Sequence, residues 1–186
     1  MRWAIPIVIW DMSETPGSRI PHLIFGLIAF GAAAQCAFDY PQLPERMASH
    51  FGASGAANGW MTKPAFFAVY AAMVVLAAVV GYFAPRFIQK KSPDKINLPN
   101  KEYWLAPERR AQTFAYFETF FAWFGCAFLL LEVFAMGLAM RANFAAPPRL
   151  PTGPIISAIV AFVFFNIGAV FMMLRRFSKT GQEQLN

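Results

Sequence analysis

Two glutamates, Glu118 and Glu132, lie inside one long apolar run, and with Gly125 midway they recur every seven residues. On a helix that spacing keeps all three on one slowly drifting face. A carboxylate at membrane depth costs about 2.5–3.5 kcal/mol on insertion scales, so it turns to the bundle interior and finds a partner. Counting about 1.5 Å of rise per residue, Glu118 falls near the inner boundary, level with His22, Tyr82, Arg175 and Arg176. That height suits a structural ion pair or hydrogen bond. Glu132 falls about a dozen ångströms from the outer end. Gln35 and Asn166 are within about a turn of its height, and Tyr70 is not far off. Two roles are open to Glu132. Protonated, it would be interhelical glue bonded to Asn166 or Gln35, contributing about 0.6 kcal/mol. Alternatively, it would line an outward-facing cavity and bind a cation, a proton or a cationic group, the site of a small transporter or ion pathway.

His50 is the other suspect. It stands in YPQLPERMASHFGASGAANGW, residues 40–60, with Arg46 and Lys63 near it in sequence. A metal site needs several ligands at set spacing, and this segment adds only Asp39 and Glu45, with no further His or Cys. His50 is therefore expected to donate to loop carbonyls and fix a turn, and no metal site is expected. No HExxH, GxSxG, GxxxxGK[ST] or GxGxxG occurs, and no second acid–base pair accompanies the glutamates, so no enzyme and no cofactor is expected. Cys36 and Cys126 fall in apolar runs, where Cys packs as a small hydrophobe.

The elements that hold these groups follow from composition. The AVILMFWYC set makes up 58% of the 186 residues and charged residues only 14%; soluble domains run at roughly 45–50% apolar. A span needs about 20 mostly apolar residues. Four windows qualify: Ile20–Phe38, Pro64–Phe87, Phe114–Met140 and Ile155–Phe177. Runs this long without alternation read as helices. The expected fold is an all-α integral membrane protein, a four-helix transmembrane bundle with a structured extracytoplasmic loop over 39–63 and a basic inner loop over 88–113. A secretory-signal reading of Arg19–Ala34, with Ala32, Ala33 and Ala34 imitating a cleavage site, is opposed by the long leader and by the unbroken apolar run to Phe38. RWAIPIVIW at the start is too short to cross and holds Pro6; it reads as an interfacial segment anchored by Trp3 and Trp10.

The formal charge of +6 does not point to nucleic acid, because the basic residues sit in the gaps between apolar runs. One set of gaps holds Arg86, Lys90, Lys91, Lys95, Lys101, Arg109 and Arg110, with Arg175, Arg176 and Lys179 after the last run. The other holds Arg46, Lys63, Arg141 and Arg149. The positive-inside bias then places both termini in the cytoplasm and the His50 segment outside.

That segment carries its own structural signals. Pro41 and Pro44 hold the chain extended, Arg46–Phe51 reads as a short strand, and Asn58-Gly59 as a tight turn. Thr62 caps the second helix with Pro64 in its first turn, and Tyr40 and Trp60 stand at the feet of the loop. PxxPERMASHFGxxGxANGWMTK, with Pro44, Arg46, His50, Phe51, Gly55, Asn58, Gly59, Trp60 and Lys63, resembles the signature of a bacterial domain-of-unknown-function family that also forms the N-terminal part of SdpI-type toxin-immunity membrane proteins. INLPNKEYWLAPERR, residues 96–110, looks like the cytoplasmic segment of a subset of that family. SdpI-type proteins are longer and carry further spans. The resemblance implies a non-enzymatic binding or sensing module of the bacterial cytoplasmic membrane, with Arg46, His50, Asn58, Trp60 and Lys63 contacting a peptide or small-molecule ligand.

On the inner side, Tyr103 and Trp104 suit an aromatic belt and Pro107 starts a helix. Lys90, Lys91, Arg109 and Arg110 form a collar facing anionic lipid headgroups. Asn97 and Asn100 around Leu-Pro suggest a fixed turn that docks a partner or braces the second and third helices. The aromatic stretches FETFFAWF and FVFF suggest exposed faces for a second copy or a larger membrane complex.

Overall fold

In the computed structural model, residues 19–179 are described; the expectations for Trp3, Pro6 and Trp10 lie outside them. The apolar runs fold as helices: α1 (Ile20–Asp39), α2 (Lys63–Ala78), α3 (Ala84–Gln89), the short α4 (Lys101–Trp104), α5 (Pro107–Ala142) and α6 (Thr152–Ser178). Four helical stretches, Ile20–Gln42, Lys63–Gln89, Pro107–Ala142 and Thr152–Ser178, are long and apolar enough to cross a membrane. The fold is thus that of an all-α membrane protein, with four membrane-spanning helices among the described residues.

The helix α5 is the axis. Its 36 residues extend about 54 Å at about 1.5 Å per residue, well beyond about 30 Å of hydrocarbon. It packs against α1, α2, α3, α4 and α6. Between α1, α2 and α5 lie two apolar clusters, one around Phe25, Ala77, Cys126 and Leu129 and one around Leu43, Met47, Phe66, Tyr70 and Met140. The helix α6 stands at the edge. It touches α5 through Phe162, which meets Phe124 and Phe128, and through Phe177, while Val163, Phe164 and Phe165 are exposed. FETFFAWF, expected as an exposed face, is instead largely internal: Phe117 is buried, and Phe120 and Phe121 pack on its cluster. The free face of the central helix lies further along, where Leu130 and Phe134 are exposed.

The second span is not a regular helix throughout. Val79–Phe83 is a π-helical turn joining α2 to α3. Pro85 has no N–H for the carbonyl of Gly81, and its ring would strike that carbonyl in an α-helix. Widening the turn, with the Ala84 N–H donating to Val79 O, resolves both problems. The widened turn brings Gly81 against Gly125 of α5, where a Cβ on Gly125 would lie 2.9 Å from Gly81 Cα.

Only two strands occur among the described residues. β1 (Arg46–Phe51), where the sequence reading places a strand, pairs antiparallel with β2 (Ala57–Thr62). Asn58-Gly59 is not the turn: both residues lie inside β2, and the left-handed glycine is Gly55, φ 79°, in the connection where its N–H donates to Gly52 O at 2.8 Å. Gly59 is needed for a different reason. A Cβ there would lie 2.8 Å from the Cβ of His50.

The basic loop is folded too. Asn100, at φ 51°, donates to the carbonyls of Phe177 (3.1 Å) and Ser178 (3.0 Å). Trp104 Nε1 donates to Phe177 O at 3.0 Å, and Thr113 Oγ1 donates to Trp104 O at 2.8 Å. The turn expected to brace the second and third helices therefore closes the C-terminal end of α6, satisfying carbonyls that a helix end leaves open.

Candidate functional site

The hairpin is built as a rigid attachment to the ends of α2 and α5. Thr62 ends β2 and caps α2, its hydroxyl accepting from Ala65 N–H at 3.4 Å. Lys63 is 6% exposed. Its ammonium pairs with Glu45 at 2.8 Å, donates to Leu43 O at 3.0 Å and sits 4.8 Å from the Tyr40 ring. Lys63, expected to face a ligand, is committed to internal partners. Because Glu45 is largely exposed, its ion pair is screened and contributes little; the buried Leu43 carbonyl matters more. Lys63→Met should lower stability by about 1–3 kcal/mol, the cost of an unmet buried acceptor. Chemical unfolding in detergent micelles checks this, and an unchanged midpoint would show that water replaces the ammonium.

From the other side, Asn143 at the end of α5 clamps β1. Ala48 N–H donates to Asn143 Oδ1 at 2.7 Å, and Asn143 Nδ2 donates to Ala48 O at 3.0 Å and to Ala139 O at 2.9 Å. At the tip, Leu150 N–H donates to Gly55 O at 2.8 Å, and Arg149 reaches Ser54 O at 3.4 Å. A Cβ on Gly55 would run into the Leu150 carbonyl. Sequence reading missed Asn143 and Leu150, since nothing local marks an Asn after a helix as the partner of a strand 95 residues earlier.

The pinned hairpin has two faces. Ala48 pairs with Trp60 and Arg46 with Thr62, while Met47 pairs with Met61; directly paired side chains share a face. Met47 and Met61 join the apolar cluster. Opposite them Arg46 lies over the exposed ring of Trp60, 5.9 Å from its centroid. His50 meets Gly59, which alternates to the Met61 side. The structure thus unites Arg46 with Trp60, and turns His50, though exposed, to the other face. No hydrogen bond from His50 to a loop carbonyl forms among the described residues. Asn58 is exposed, its amide near Gly52. Among the described residues, no three His, Cys, Asp or Glu side chains converge on a metal position.

Within the spans the partners differ from those expected. Asn166 donates to Phe162 O of its own helix at 2.7 Å and does not reach Glu132. Gln35 lies against Gly137, its Nε2 3.2 Å from where a Cβ would be. Neither supplies a bond to Glu132, whose two carboxylate oxygens have no hydrogen-bond partner. For Asn166 the reason is geometric: α6 stands at the edge of the bundle, so its polar side chain bonds its own backbone, while Gln35 is directed to Gly137, more than a turn beyond Glu132. Among the described residues Glu118 likewise makes no ion pair. His22 stacks with Tyr82 at 4.9 Å, and Arg176 is held over Tyr116 at 4.6 Å. At the basic end Lys90 and Lys91 are exposed. Arg109 is stacked 4.0 Å from the Tyr103 ring and Arg110 lies 5.5 Å from that of Phe114.

Residues 27–74, which run from α1 through the hairpin into α2, match a domain of unknown function, DUF1648. No curated protein and no solved structure matches the chain.

Proposed function

We propose that this chain is a non-enzymatic binding or sensing module of a bacterial envelope membrane, its outer hairpin contacting a peptide or small-molecule ligand. The Lys/Arg bias supports a basic end in the cytoplasm and a hairpin outside. The observation that carries the reading is the Arg46–Trp60 pair: a guanidinium and an indole, the latter 44% exposed, stand together on a hairpin pinned by Asn143, Leu150 and Lys63. Aromatic and Arg side chains on a pre-organised backbone are what interfaces use as anchors, since little ordering remains to be done on binding. The likeness of the hairpin sequence to SdpI-type proteins supplies the ligand class, an envelope-active peptide. Such a ligand would present an acidic or aromatic group to Arg46 and Trp60.

The test is protection of cells against amphipathic envelope-active peptides by the wild-type chain and by a variant with Arg46, His50, Asn58 and Trp60 all replaced by Ala. All four are exposed, so the variant should fold, with each surface change within about 0.5 kcal/mol. Loss of two anchors should lower the tolerated peptide concentration about tenfold or more. Full protection by a variant present at wild-type level removes the proposal.

A further inference from the structure

Among the described residues, Glu132 and Tyr70 are the two buried side chains of the membrane core whose oxygens have no hydrogen-bond partner, beside the buried atoms Ser49 Oγ and Arg176 Nε. Glu132 of α5 is 8% exposed and Tyr70 of α2 is 2% exposed, and neither the carboxylate oxygens nor the phenol oxygen has a partner. Tyr70 lies within electrostatic range of both Glu132 and the Cys36 thiol of α1. Tyr70 belongs to the apolar cluster against which Val133 and Met136 of α5 and Cys36 of α1 pack, so from α2 the phenol is the titratable group toward Glu132, and the thiol of Cys36 on α1 lies toward Tyr70. Lys63, two turns above Tyr70, is turned to Glu45, Leu43 and Tyr40.

An ionised carboxylate without counter-charge or N–H donors in such a place costs several kcal/mol. A metal ion would need more oxygen ligands than two carboxylate atoms and a phenol provide. A proton needs one. We propose that Glu132 and Tyr70 form a proton-binding site inside the membrane domain, exchanging with water at the hairpin end. The Glu132 carboxyl takes one proton from water or returns it, and Tyr70 keeps its own proton, its hydroxyl, unbonded in this structure, being available to bond the carboxyl as that exchange occurs. The route is set by depth. Glu132 is eleven residues from Asn143, about 16 Å of helix, but twenty-five from Pro107, about 38 Å. Leu43, Met47, Phe66 and Met140 fill the space beneath the hairpin. Three of them come from the hairpin or the helices it is pinned to, so displacement of the hairpin would admit water to the carboxyl. The inference does not depend on the hairpin having a ligand.

The experiment is infrared difference spectroscopy of the whole protein in nanodiscs, titrated from acid to alkaline pH with either sodium or choline as the cation. The expected result is one neutral-carboxylic-acid carbonyl band that titrates in the wild type, is lost in Glu132→Gln and keeps its midpoint when sodium replaces choline. Tyr70→Phe should move the midpoint by about one unit, a tenfold change in proton affinity, and serves as the probe if Glu132→Gln does not fold. A carboxylic band that does not titrate, one that persists in Glu132→Gln, or a Tyr70→Phe midpoint equal to wild type overturns the proposal. A band displaced by sodium at constant pH overturns the proton assignment in favour of a metal cation.

Discussion

Gly125→Leu should leave little folded protein. A Cβ at position 125 would sit 2.9 Å from Gly81 Cα and 3.2 Å from Ala77 O. Both obstacles are backbone, so no side chain can swing aside. Overpacking a core that can relax costs about 1–3 kcal/mol; here the relaxation would have to separate α5 from the second span at the Gly81–Gly125 contact, and at least the upper end of that range is expected. Apolar attraction between helices is absent in lipid and close backbone packing takes its place, so little else compensates. The reverse pair is graded. A Cβ on Gly81 would be 3.3 Å from Gly125 Cα, so Gly81→Ala should cost less than Gly125→Ala. Gly26 on α1, with nothing within 4 Å, gives the control: Gly26→Leu should unfold within about 0.5 kcal/mol of wild type. Thermal unfolding followed by tryptophan fluorescence in mild detergent ranks the four variants, and a Gly125→Leu transition matching that of Gly26→Leu would show that the helices do not meet there.

The second large effect is expected at Asn143, which is 5% exposed and meets both backbone groups of the fully buried Ala48. Asn143→Ala removes no packed hydrocarbon but leaves a buried N–H and a buried C=O unmet, each costing about 1–3 kcal/mol. The attachment of the hairpin to α5 should weaken by about 2–5 kcal/mol while the helices stay intact, because their own bonds are local. Hydrogen exchange separates the two: β1 amides should exchange about 30-fold faster or more, and those of α1 and α2 within the spans should not change. Asn143→Asp keeps an acceptor for Ala48 N–H and loses the donor, so it should fall between. Equal protection of β1 in all three proteins would mean that Lys63 and the Gly55–Leu150 contact alone hold the hairpin.

The site was only partly legible beforehand. Strand β1, the Thr62 cap and Pro64 in the first turn of α2 are encoded within a few residues, so local chemistry locates them. The turn was misplaced because Asn-Gly has the same preference for positive φ as the glycine three residues earlier, and only the contact of Gly55 with Leu150 decides between them. Lys63 looked like a ligand contact because it belongs to the outer-loop motif that carries the resemblance. Its burial comes from Tyr40, Leu43 and Glu45, brought over it by the fold of the hairpin.

What the sequence determined alone is the number of spans, the position of the hairpin between the first two and the basic character of one end. Each depends on a count of apolar or charged residues along the chain, and solvation acts on such counts wherever the helices later pack. The partners of buried polar groups were decided by tertiary structure. Equal depth along four helices leaves their rotation and their order around α5 undetermined, and those two quantities bury Glu132 and Tyr70 in the core without hydrogen-bond partners and leave Asn166 to its own helix. The π-turn before Pro85 belongs to the same class, since a proline requires some break and only the opposing Gly125 gives the widened turn a neighbour to fit.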